Sequence, residues 1–136
     1  MWNFSIPYAL KFYIDAIFQP GYLFQYDELG RAIGLVQGKK MVCITSRGAD
    51  YSVNSPYHAY DFVEPYLRAA FGFVGITDLS FINAQPMDIS LQLRETALAN
   101  AIAEVHHLAA DHDWRVDKTV VQPENPLDLK PAPLPV

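Results

Sequence analysis

The chain has 136 residues, a length that suits one domain able to bury roughly two thirds of the surface its unfolded form exposes. Ten Lys plus Arg against fifteen Asp plus Glu leave a formal charge of −5, so no global basic field exists to draw nucleic acid or an anionic lipid surface. The longest apolar stretch, Ala69 to Ile76, falls far short of the roughly 18 residues of a membrane helix, and the expectation is a cytoplasmic protein without nucleic-acid or membrane partners.

In chain order, Tyr8 to Phe18 reads as a helix. Ser5 is placed to cap it, Pro7 is tolerated in its opening turn, and Leu10, Ile14 and Ile17, with Tyr13, form its apolar face. Pro20-Gly21 stops it. Tyr22 to Tyr26 and Ala32 to Val36 flank the turn Asp27 to Gly30, the pattern of a hairpin. Met41 to Ser46 is an unbroken apolar run, which predicts a strand covered on both faces, as in a parallel sheet. Cys43 lies inside that run with no second cysteine to pair with and no neighbouring cation to lower its pKa, which suits a reducing compartment and argues against a nucleophile.

A long connection, Ala49 to Tyr60, has the length of loops that carry function. Asp61 and Glu64 then have capping-box spacing, and Tyr60, Val63, Leu67, Ala70 and Val74 recur on one side of a helix that Gly75 ends. Leu79 to Asn83 reads as a second strand. From about Asp88 to Asp111 a further helix carries Leu91, Leu98, Ile102, Val105 and Leu108 at helical spacing, with Asp88 near its start as a cap. His106 and His107 are adjacent on that helix and point apart, so no metal site is expected from them with His112. Residues 112–136, rich in proline, read as an extended tail, and 1–111 as the domain.

Strand, helix, strand, helix is the alternation of an α/β sheet with crossover helices. Such a sheet calls for a strand before the first helix, and the chain contains none; the expectation is that N-terminal strand-helix units are missing. The opening turn Trp2-Asn3-Phe4 then stands where a loop follows a strand, and Ser46-Arg47-Gly48 holds the same kind of place after the next one. Open α/β sheets bind ligands beyond the carboxyl ends of their strands, so the two loops are expected to converge on one crevice.

Trp2 to Pro7 followed by Leu10-Lys11 and Asp15, then Phe24 and Tyr26, Gly34 to Lys40, Thr45 to Gly48, and Tyr66-Leu67 with Phe71 to Thr77, resembles in order and spacing the flavodoxin-like, FMN-dependent NADH:quinone oxidoreductases and azoreductases. The resemblance spans about residues 1 to 110. It implies a flavodoxin-like doubly wound parallel sheet and an FMN site. Trp2, Asn3 and Phe4 would lie along the flavin, with Ser46, Arg47 and Gly48 at its pyrimidine end. Tyr26 and Phe73 would be substrate-facing aromatics acting across a homodimer interface. Hydride would pass from NADH or NADPH through the flavin to a quinone or azo acceptor in a ping-pong exchange that needs no catalytic acid or nucleophile. The Ser-rich phosphate loop with which such relatives begin is not in the sequence, so the chain in this form is expected to be inactive. The alternative is a truncated remnant without flavin, serving as an interaction or regulatory module.

Overall fold

The computed structural model describes Met1 and residues 3–111; Trp2 and the expected tail, 112–136, lie outside the described residues. The elements run α1 (Tyr8–Ile17), β1 (Phe24–Tyr26), β2 (Ala32–Gly34), β3 (Lys40–Ser46), a single 3-10 turn (His58–Tyr60), α2 (Val63–Phe73), β4 (Asp78–Ala84) and α3 (Leu91–Ala110). β3 and β4 pair in parallel, Lys40 opposite Asp78 through Ser46 opposite Ala84, while β1 and β2 form a separate antiparallel hairpin. No helix among the described residues is long and apolar enough to cross a membrane.

Strand alternation sorts the side chains to two faces. Cys43, with Met41 and Phe81 beside it, joins Ile14 of α1 and Val63 and Leu67 of α2 in one core. On the opposite face Ile82, Ala84 and Val42 pack with Ala101 of α3. Helices on both sides of parallel strands are the doubly wound arrangement expected from the sequence.

Two expectations fail at α3 and β3. The buried positions of α3 are Ala97 and Ala101, whereas Leu91, Leu98 and Ile102 are well exposed. Small residues let the helix approach β4 closely, so the large side chains at helical spacing flank the contact instead of making it. Because α3 sits over β4, Ile44 on the same face of β3 is left 66% exposed, and the strand is not covered on both faces.

Helix ends follow local chemistry only in part. Pro7 stands at the start of α1 with no side-chain cap, so Ser5 does not act as one. Asp61 does cap α2: its Oδ1 accepts from the amides of Val63 at 3.0 Å and Glu64 at 3.3 Å, but Glu64 pairs with Arg68 and does not complete a capping box. Ser90, not Asp88, caps α3 through Leu93 N–H. At the far end of α2, Ile76 N–H reaches Phe71 O and Gly75 N–H reaches Gly72 O, the paired bonds of a Schellman motif, with Gly75 at φ +105.

The hairpin is held at its turn by Asp27, whose Oδ1 accepts from the amides of Leu29 and Arg31 and whose Oδ2 meets Arg31 Nε. Those bonds, the Arg31 amide first, hold the Asp27 carboxyl below its usual range. The hairpin docks backbone to backbone on the end of α2: Val36 N–H donates to Val74 O, and a Cβ on Gly34 would lie 2.3 Å from Gly75 N. Gly34→Ala is therefore expected to lift the hairpin off α2 at a cost of at least about 1 kcal/mol. Hydrogen exchange should show faster Val36 amide exchange, with the amides of β3 and β4 unchanged.

Candidate functional site

Parallel strands deliver their carboxyl ends to one edge of the sheet, where β3 exits through Ser46-Arg47-Gly48 and β4 through Gln85-Pro86, a cis peptide bond. The opening turn meets the first of these exits directly. The Met1 nitrogen donates to the Ser46 carbonyl, and Met1, Ser46 and Gly48 line, with Met87, Asp88 and Arg94, a cavity of about 410 Å³. The two loops that the sequence placed on one crevice are neighbours in space.

Asn3 and Phe4 both have positive φ, 46° and 69°. Asn tolerates that region, but for a bulky aromatic it is an outlier of the kind found where backbone direction matters. Among the described residues no partner is found for the N–H groups of Asn3, Phe4 or Gly48, and of these three residues Gly48 lines the cavity. The Phe4 carbonyl is engaged, accepting from Phe62 N–H at 3.0 Å, and its half-exposed ring lies 5.5 Å from that of Tyr60. Ser46 is exposed. At Gly48 the φ is not positive; what the glycine supplies is room, since a Cβ would stand 2.9 Å from Asp88 Oδ2. Its carbonyl accepts from Asp88 N–H, tying the β3 exit to the β4 exit.

The Arg47 side chain does not face the crevice. It is 1% exposed, with Nη1 on Asp61 Oδ2 at 2.6 Å and Nε on Thr45 Oγ1 at 3.0 Å, while Thr45 in turn donates to Asn83. Nη2 is buried and has no partner among the described residues. Sequence reasoning found Arg47 and Asp61 separately, as a loop residue and a helix cap, and missed that they form one pair, because nothing in local spacing signals a contact across fourteen positions.

Tyr26 and Phe73 are brought together, but away from the crevice. Both rings pack on Phe24, at 5.6 and 4.8 Å between centroids. Phe73 ends α2 while Asp61 caps its start, and eleven helical residues span about 16 Å, so within one chain neither aromatic reaches the crevice. No cluster of three or more His, Cys, Asp or Glu among the described residues could hold a metal, and His106 and His107 are exposed on α3. Burial pushes the Cys43 thiol up, against a smaller pull downward from Arg68.

The chemistry of the residues present fits a flat heterocycle with a polar edge: N–H groups on two loops without a partner among the described residues, an exposed Ser46 and the half-exposed ring of Phe4. Among the described residues no carboxylate-base pair or activated nucleophile accompanies them. Cys43, buried and with a raised pKa, is expected to react with an aromatic disulfide reagent at least tenfold more slowly in the folded chain than in urea; equal rates would place it at the surface.

Comparison with known proteins places these features. A family described as having a flavodoxin-like fold matches residues 1–109. An FMN-dependent NADH:quinone oxidoreductase of Nostoc punctiforme is 48% identical over 110 residues, covering 81% of this chain and 53% of the relative. One from Hyphomonas neptunium is 43% identical over 109 residues, covering 80% and 51%. Among solved structures, an azoreductase from Bacillus anthracis superposes with a TM-score of 0.72 at 27% identity, covering 79% of this chain and 51% of that one. An FMN-dependent NADH-azoreductase from the same species, in complex with FMN, gives 0.67 at 30% identity, covering 80% and 52%. The chain spans about half the length of the relatives it matches.

Proposed function

Because the chain belongs to the flavodoxin-like fold family, we propose that it supplies the ring-binding part of an FMN-dependent oxidoreductase that carries hydride from NADH or NADPH to a quinone or azo acceptor. The observation that carries this reading is the meeting of the opening turn with the Ser46 to Gly48 exit at the carboxyl edge of parallel strands, where the N–H groups of Asn3, Phe4 and Gly48 have no partner among the described residues. The names of the relatives supply the cofactor and the substrates: quinone oxidoreductases dependent on FMN and NADH, and an azoreductase structure with FMN bound.

FMN, when bound, would supply two-electron hydride acceptance and donation, the chemistry that the protein's own side chains lack. The amides of Asn3, Phe4 and Gly48 would donate to the ring's polar edge, where electron density gathers on reduction. Phe4 and Trp2 would lie along the ring, and Ser46 would hold its pyrimidine end. Arg47 would contribute by holding the loop in place, since its guanidinium is committed to Asp61 and its amide and carbonyl to Ala84 and Met87. Phe73 at the far end of α2, and Tyr26 packed beside it on Phe24, would wall the acceptor pocket of a second copy in a homodimer. The buried free thiol of Cys43 suits a reducing, cytoplasmic setting.

The donors described here address the ring and not the phosphate. The full chain should therefore quench riboflavin and FMN fluorescence with weak dissociation constants that agree within about threefold. Asn3→Val, which pays about 1–2 kcal/mol to hold positive φ, should weaken ring binding about tenfold, while Asn3→Gly should not. Flavin fluorescence untouched by the wild-type chain would overturn the reading and leave the flavin-free interaction module in its place.

A further inference from the structure

We propose that Arg47 is a positioning residue, whose buried pairing with Asp61 holds the two rims of the crevice in register through the corner Tyr60-Asp61-Phe62. The inference rests on the ring-binding reading above and deepens it.

The connections run in one chain. Arg47 is fixed at the exit of both strands: its amide donates to Ala84 O at 3.0 Å, its carbonyl accepts from Met87 N–H at 2.9 Å, and its guanidinium carbon lies 6.0 Å from the Tyr51 ring centroid. From this anchored backbone the side chain reaches Asp61 Oδ2, while Asp61 Oδ1 takes the first amides of α2. The next residue, Phe62, donates its N–H to Phe4 O, and the preceding one, Tyr60, sets its ring against that of Phe4. One rim thus hangs from Asp61 through its neighbours, and the other carries the arginine that grips Asp61. The pair is buried on both sides, 1% and 7% exposed, so water cannot substitute for either partner. Its direction is set by bonds to Thr45 and to the helix amides, which makes it a geometric link as well as a charge pair.

A role in stability alone and a role in positioning make different predictions for the double variant Arg47→Met with Asp61→Asn. Asparagine keeps an acceptor for the Val63 and Glu64 amides, and methionine fills the arginine's space without a stranded charge, so thermal stability should stay near that of the wild type even where either single variant fails to fold. If the pair positions the rims, the stable double variant should still exchange its Phe62 amide at least tenfold faster, with the Leu67 amide unchanged, and should bind riboflavin at least tenfold more weakly. Wild-type protection of the Phe62 amide in the double variant, or faster exchange with unchanged riboflavin affinity, overturns the proposal. Should the wild-type chain bind no riboflavin while Phe62 loosens as stated, the ring-binding reading fails and the coupling of the rims through Arg47 stands.

Discussion

A guanidinium and a carboxylate facing each other out of reach of water constrain everything around them, and Arg47 with Asp61 is the place where this chain accepts that constraint. Stranding one member of such a pair costs about 3–5 kcal/mol, whereas exchanging both for apolar groups is often neutral. Against a domain stability of about 5–15 kcal/mol, the first figure is a large share of the whole. The pair therefore contributes little net attraction and a good deal of geometric demand. The β3 exit, the start of α2 and the turn at Asn3-Phe4 must be arranged so that both charges are met. Thr45, Asn83 and the helix amides supply the further bonds, and Arg47 Nη2 is left without a partner among the described residues.

The same pair decides what the crevice can bind. A helix N-terminus at the carboxyl edge of a parallel sheet is ordinarily open to an anion. Here Asp61 already occupies the start of α2, so that positive end is neutralised from within the chain. The donors left over belong to backbone at Asn3 and Phe4 on one loop and at Gly48 on another, not to the first turn of a helix. The chain covers about half the length of relatives named for FMN.

What the sequence disclosed, and what it withheld, divides along the range of the forces involved. The two parallel strands, the hairpin around Asp27 to Gly30 and the end of α2 at Gly75 are set by short-range pattern and turn chemistry, and each is where the sequence put it. The face of α3 is not. Leu98 and Ile102 have the spacing of a core stripe, yet Ala97 and Ala101 lie inward, because periodicity shows which residues share a face and cannot show how near the neighbouring strand will come. Ile44 fails for the same reason. At the crevice, the convergence of the two loops followed from topology and was legible, whereas the Arg47 contact depends on how the loop from Ala49 to Tyr60 folds back, and no local signal carries that. Tyr26 and Phe73 read as site residues through resemblance alone, and only the length of α2 shows that they belong to a different end of the molecule.

A site made of backbone donors has a distinctive sensitivity. Most side-chain changes around it leave the amides where they are, so such a crevice tolerates variation in its lining more than a site of catalytic acids and bases does. It is vulnerable to anything that alters φ at Asn3 or Phe4, both already in a region that a chain enters only when its surroundings insist. Those surroundings are the Phe62 amide on one side and the Ser46 carbonyl on the other, the first next to Asp61 in the chain and the second next to Arg47. Strain at the opening turn and desolvation at the ion pair are thus two costs of a single arrangement, one that on the proposed reading leaves N–H groups of Asn3, Phe4 and Gly48 for a ligand to pair.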